Sequence, residues 1–154
     1  MKASKKFNIL IVSLDNRFSK LVAATLAEKL DMFVVDCGEM LVYDLSNRKE
    51  IIEKCGIEYL KTRETSVLEK CASFQNTVIS INYDLFHEYS KLFINSVIIY
   101  LKLNNAKVKE TTNKIAYQSR DQFISKNCDF SILLDKKSKI NSVKMIIEIL
   151  SEVV

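Results

Sequence analysis

Asn8-Ile9-Leu10-Ile11-Val12-Ser13, then Leu14-Asp15-Asn16-Arg17-Phe18-Ser19-Lys20, an amphipathic segment to Leu30, and Met32-Phe33-Val34-Val35-Asp36 decide the fold. A short apolar run, a polar connection, a stripe of 3.6-residue period and a second short apolar run read as strand, loop, helix, strand. That is the opening of an α/β domain with a parallel sheet. In such a domain the loop after the first strand commonly meets a phosphate at a helix N-terminus, where free N–H groups and the helix dipole favour an anion. Here the loop has the position and length for that task but contains no glycine.

Outward from this stretch the same alternation continues. In the first helix, Phe18, Leu21, Val22, Leu26 and Leu30 share one face, with Lys20, Glu28 and Lys29 away from it. Met32 to Val35 reads as a buried strand with Asp36 at its tip, and Gly38 as the start of a turn. Two helices are expected between Ser46 and Cys71. The first carries Ile51 and Ile52 and ends at Gly56 as a C-cap; the second carries Tyr59, Leu60, Val67 and Leu68. Thr77 to Asn82 is a third strand, and Asp84 is placed to N-cap a helix reaching about Phe93. Ser96 to Leu101 is a fourth strand and Phe130 to Leu134 a fifth, separated by a polar, mostly helical stretch over 104–127 with Ile115, Tyr117 and Phe123 as its apolar contacts. A last helix from about Lys139 to Val153 is expected to bury Ile140, Val143, Ile146, Ile147 and Leu150. Five short strands alternating with helices predict a three-layer α/β/α domain over 1–154, preceded by a basic extension at residues 1–7.

Composition narrows the function classes. No apolar run approaches the roughly 20 residues of a bilayer span. The run behind the basic N-terminus, Ile9 to Val12, is too short for a signal core, so a cytoplasmic protein is expected. The net charge of +4 is dispersed. Lys2, Lys5 and Lys6 precede the first strand, and Lys136, Lys137 and Lys139 follow the last, without interleaved aromatic residues. They read as solvated loop charge, not a nucleic-acid surface. Cys37, Cys55, Cys71 and Cys128 lack metal-ligand spacing and read as buried reduced thiols. His87, the one histidine, falls on a predicted helix surface and is assigned no chemistry. Two glycines and no proline are unusual for this length.

Several strings in collinear order resemble the shikimate kinase family of small P-loop kinases. Leu26 to Asp36 is similar to that family's first helix and second strand, which end in an Asp-x-Asp pair. Glu50-Ile51-Ile52-Glu53-Lys54-Cys55-Gly56 followed by Tyr59-Leu60-Lys61-Thr62-Arg63-Glu64 resembles its E-I-F…G-E-x-x-F-R-x-x-E stretch. Val78 to Asn82 lies where the family has a strand ending in three glycines. Val97-Ile98-Ile99-Tyr100-Leu101 is similar to its V-V-Y-L strand, and Arg120 to Asp129 keeps the spacing of R-x-P-L-Y-x-x-x-A-D. The resemblance implies strand order 2-3-1-4-5, an ATP-type phosphate loop and an anionic acceptor site.

The positions that would carry the chemistry depart from the family pattern. A P-loop, G-x-x-x-x-G-K-[ST], needs glycine so that backbone N–H groups reach phosphate without a Cβ in the way, lysine on the β/γ-phosphates and a hydroxyl on Mg²⁺. In register, Ser13 and Phe18 replace the glycines, Ser19 the lysine and Lys20 the Ser/Thr, while Asp15 adds negative charge. On the acceptor side Asp36 remains but its partner acid is Gly38. The substrate-carboxylate arginine becomes Lys61, the glycine loop becomes Ile81, Asn82 and Tyr83, and only Arg120 is intact. The arginine-bearing lid is shortened to a stretch with Lys107, Lys109 and Lys114. The sequence therefore points to an inactive shikimate-kinase-like domain that binds no ATP, needs no cofactor or metal and acts through another protein. A residual small-anion site at Asp36, Lys61 and Arg120 is one candidate feature. An aromatic interface at Phe86, Tyr89 and Phe93 is another. The alternatives are an active kinase with an unorthodox loop and a receiver-type signalling domain with Asp15 and Lys136 in its site. The receiver requires strand order 2-1-3-4-5.

Overall fold

A computed structural model describes residues 7–103 and 114–153. Its elements are β1 (Asn8–Val12), α1 (Asn16–Leu30), β2 (Phe33–Asp36), α2 (Cys37–Asp44), α3 (Arg48–Cys55), α4 (Ile57–Ser73), β3 (Thr77–Ile81) and α5 (Tyr83–Tyr89). A 3-10 turn at Ser90–Phe93 leads to β4 (Val97–Leu103), α6 (Lys114–Asn127), β5 (Phe130–Leu134) and α7 (Lys139–Val153).

The strands form one sheet in the order β2-β3-β1-β4-β5. Every pairing is parallel, with Ile9 opposite both Val78 and Val97, and Asp36 opposite Ser80. The third strand therefore sits between the first and second, which is the expected order and excludes the receiver arrangement. β1 and β3 are buried along their whole length, as expected for strands covered on both faces.

Side-chain alternation divides the core into two layers. Leu10 and Val12 of β1 join Ile79, Ile81, Ile98 and Tyr100 beneath α2, α4, α5 and α6. Ile9 and Ile11 join Val78, Ile99, Leu101, Ile132 and Leu134 beneath α1 and α7. Phe18, Val22 and Leu26 of α1 and Val143, Ile146 and Leu150 of α7 complete that second layer.

Several local expectations need correction, beginning with the cysteines: Cys37 and Cys71 are buried as expected, but Cys55 is exposed on α3 and Cys128 is half-buried. β2 is an edge strand, so Phe33 is 71% and Val34 48% exposed. Leu21, Tyr59, Ile115 and Ile140 also face outward. Gly38 begins no turn: the stretch after β2 is helix α2, capped by Asp36, whose carboxylate accepts the Glu39 N–H at 3.0 Å. At α5 the cap is Asn82, not Asp84; its side-chain oxygen accepts the Leu85 N–H at 2.9 Å. Of the expected helical stretch over 104–127, residues 114–127 form α6, while Lys107 and Lys109 lie outside the described residues, as do residues 1–6 of the basic extension.

The scarcity of glycine is managed at the turns. Gly56 ends α3 and starts α4 with φ of 90°. The left-handed residues after α1 and before β3 are instead Asp31 and Asn76, at φ 54° and 56°. Asp and Asn tolerate this region better than other side chains do.

The candidate interface residues Phe86 and Phe93 are wholly buried and Tyr89 is 7% exposed. They pack in the layer under α4, so their aromatic character serves the core and offers no open surface. Phe86→Ala should lower unfolding free energy by about 3–5 kcal/mol, measured by urea denaturation. A loss below about 1 kcal/mol would contradict its place in the core.

Candidate functional site

The site-bearing positions gather at the C-terminal ends of β1, β2 and β3, the crevice where open α/β sheets hold ligands. The β1–α1 loop turns in on itself. Ser13 Oγ accepts the Asp15 N–H at 3.1 Å and lies 2.7 Å from the Asp15 carbonyl oxygen. It also lies 2.6 Å from the hydroxyl of Ser19, and both serines are buried. Phe18 is 5% exposed and anchors α1 to the sheet.

Asp15 occupies the N-terminus of α1. One carboxylate oxygen accepts the N–H groups of Arg17 at 3.1 Å and Phe18 at 3.4 Å. The other pairs with Lys137, 122 residues away in the β5–α7 connection. The hydrogen bond from Lys137 is the largest influence holding the Asp15 carboxyl below its ordinary pKa, with the two backbone N–H groups adding to it against partial burial. Lys20 pairs with Glu39 of α2, whose carboxylate raises the lysine pKa.

On the acceptor side, Asp36 is 8% exposed with both oxygens engaged. Oδ1 accepts from Ser80 Oγ at 2.6 Å, and Oδ2 caps α2. A Cβ at Gly38 would come within 3.2 Å of Asp36 Oδ2, so this capped arrangement favours the missing side chain there. Lys61 Nζ lies 2.9 Å from Glu88 and 4.0 Å from Glu64; the bond to Glu88 raises its pKa most. Ile81 is buried, Asn82 caps α5, and the Tyr83 ring lies edge-on to Phe123 at 6.3 Å. The Arg120 guanidinium sits 5.0 Å from the Tyr83 ring centre. It is exposed and makes no ion pair among the described residues. Lys61 and Arg120 thus meet different partners on α5, a carboxylate and a ring, and no shared group draws them together. His87 is exposed and stacks beside Phe123 at 4.6 Å.

Sequence reasoning missed Arg48, Glu64, Glu88 and Lys137. Glu64 is 4% exposed, and Arg48 Nη1 reaches its carboxylate at 2.6 Å. Its signal was spacing: it lies on the stripe of Leu60, Val67, Leu68 and Cys71, so a helix that buries these also buries Glu64. Lys137 and Glu88 had no such signal, because each meets its partner only across the fold. Among the described residues, no group of three or more His, Cys, Asp or Glu is placed to hold a metal.

Residues 20–151 match the family model for shikimate kinase. This chain belongs to the shikimate kinase family. The match begins at Lys20, so the loop from Ser13 to Ser19 lies before it. No curated protein matches the sequence. Among solved structures, shikimate kinase from Acinetobacter baumannii in complex with shikimate is similar at TM-score 0.72 and 18% identity, over 94% of this chain and 93% of that one. The Aquifex aeolicus enzyme gives 0.70 and 18% over 94% and 96%, and the Bacteroides thetaiotaomicron enzyme 0.69 and 15% over 96% and 99%. These likenesses establish the shared fold across nearly the whole chain.

Two mutational series separate the local roles. Asp15→Ala should cost about 1–2 kcal/mol through loss of the cap, while Asp15→Asn should keep most of the cap and lose the Lys137 pairing. Because the folded-state pKa of Asp15 is depressed, its contribution is present above the unfolded value of about 3.9 and disappears as pH falls through the folded value. Stability–pH curves should therefore show a shallower acid limb for Asp15→Asn than for the native chain. Arg48→Ala should cost about 2 kcal/mol or more, since it leaves the buried Glu64 carboxylate without its nearest cation, whereas the half-exposed Glu88→Ala should cost less than about 1 kcal/mol. Equal losses by thermal or urea unfolding would contradict the assigned burial.

Proposed function

We propose that this member of the shikimate kinase family is a catalytically inactive domain that binds no nucleotide through its loop and serves as a binding or regulatory module for another protein. The observation that carries this reading is the Asp15 carboxylate on the first N–H groups of α1. That is where a P-loop protein would present its backbone donors to phosphate. A triphosphate arriving there would meet a fixed negative charge, at a cost that rises as water is excluded.

The other parts of a phosphoryl-transfer site agree with this. The phosphate lysine position is Ser19, whose hydroxyl is closed on Ser13. Lys20 is committed to Glu39, and Asp36 has both oxygens engaged, so neither is open to a metal ion or a substrate hydroxyl. Transfer of a phosphoryl group depends on positioning and on cations that neutralise developing charge. The residues present do not fit a bound Mg-ATP. Of the three candidate anion-site residues, Asp36 and Lys61 are satisfied internally, while Arg120 faces an aromatic ring and makes no ion pair among the described residues. A protein-binding role draws support from large apolar side chains left outside the core, Tyr43 at 83% and Phe33 at 71% exposure among them.

Calorimetric titration of the full chain with Mg-ATP should give no binding into the millimolar range, and a coupled assay with shikimate should give no turnover. Micromolar Mg-ATP affinity, or phosphorylation of shikimate above background, would overturn the proposal.

A further inference from the structure

β5 is one of the two outer strands of the sheet, and the connection over 135–138 leads from it into α7. A groove of about 390 Å³ lies between strand and helix. Leu133 and Met145 give it an apolar wall and are 60% and 38% exposed. Lys136, Asn141, Lys144 and Glu148 line it as well, together with Asp135 and Ser138 from the connection. An outer strand leaves a row of backbone N–H and C=O groups unpaired, a template on which an extended segment can add.

The charges here differ from those in the crevice. Lys20, Lys61 and Arg48 each have a carboxylate partner. Lys136, Lys144 and Glu148 make no ion pair among the described residues.

We propose, resting on the protein-binding role proposed above, that this groove is the docking surface and takes an extended peptide segment ending in a free C-terminal carboxylate, added to the outer edge of β5. The connection selects a chain end. It turns across the groove beyond β5 and is held there. The Ser138 N–H donates to the Lys136 carbonyl at 2.9 Å, Ser138 Oγ accepts the Asn141 N–H at 3.3 Å, and Lys137 pairs with Asp15. A segment running parallel to β5 has to stop at this turn. Its carboxylate then meets the ammonium groups of Lys136 and Lys144 and the positive end of the α7 dipole.

The spacing along α7 sets the rest of the segment. Glu148 lies about 10 Å beyond Asn141 along the helix, a length that an extended chain covers in about three residues. A basic side chain at that distance before the carboxylate answers Glu148, and the apolar side chains between them lie on Leu133 and Met145. A nucleic acid is a poor match, because Glu148 and Asp135 stand among the lysines.

The test presents the full chain with a pool of randomised short peptides, each made both as a free acid and as its C-terminal amide. Free acids should be enriched at least tenfold over their amides, with an apolar last residue and Lys or Arg about three positions earlier. Lys144→Glu should remove that enrichment and leave Tm within about 1 °C, because Lys144 is exposed and carries no ion pair among the described residues. Glu148→Lys should exchange the upstream basic preference for an acidic one. Backbone amide shifts on titration with the most enriched peptide should fall in β5 and α7. The proposal is overturned if free acids and amides bind alike, if neither binds, or if the shifts fall along β2, the other outer strand. Mg-ATP binding in the calorimetric titration would overturn the inactive-kinase reading and leave these three outcomes to decide the groove by themselves.

Discussion

The Asp15 carboxylate stands at the end of the central strand and satisfies the first N–H groups of α1, and the loop around it takes its shape from that task. A helix N-terminus that ends at a buried strand must find acceptors for its free donors. In this chain the acceptor is supplied from within. Once a carboxylate is placed there, its second oxygen calls for a cation, and Lys137 comes from the far end of the chain to meet it. The serine hydroxyls then close the space that a glycine loop would leave open.

The same logic runs through the rest of the crevice. Asp36 binds Ser80 and caps α2; Lys20 meets Glu39; Lys61 meets Glu88; Arg48 meets Glu64. Each of these charges, which could have faced a ligand, has a partner on a neighbouring element. Exposed pairs of this kind add little stability one by one. Their effect is on recognition, because a ligand would have to displace a partner already in place. Arg120 differs from them, held over Tyr83 by its flat face.

Much of the fold is legible in the sequence because its signals are local. The runs Ile9–Val12, Val78–Ile81 and Val97–Leu101 are strands, and the stripe of Phe18, Val22 and Leu26 is the buried face of α1. Gly56 does end α3, as its position suggests. The misses also have physical causes. Met32–Val35 reads as a buried strand because apolar content does not tell how far an edge strand is covered. Helix α2 reads as a turn because Gly38 is a weak helix former, and the cap from Asp36 outweighs it. Phe86, Tyr89 and Phe93 look available for a partner because aromatic density alone does not say which side of a helix meets the sheet.

The sequence by itself determined the strand–helix alternation, the resemblance to the shikimate kinase family and the loss of the glycines and lysine from the loop. Each of these depends on residue type and short-range spacing, which the chain carries without folding. The strand order was already implied by that resemblance and the tertiary structure bears it out; only the tertiary structure decided how far β2 is exposed and which partners the charges in the crevice meet. Asp15 and Lys137 are 122 residues apart, and nothing in either neighbourhood announces the other. Their pairing follows from a parallel sheet that brings the C-terminal ends of β1 and β5 to one side. At that end of the sheet the loop that lacks its phosphate-binding residues carries a carboxylate of its own.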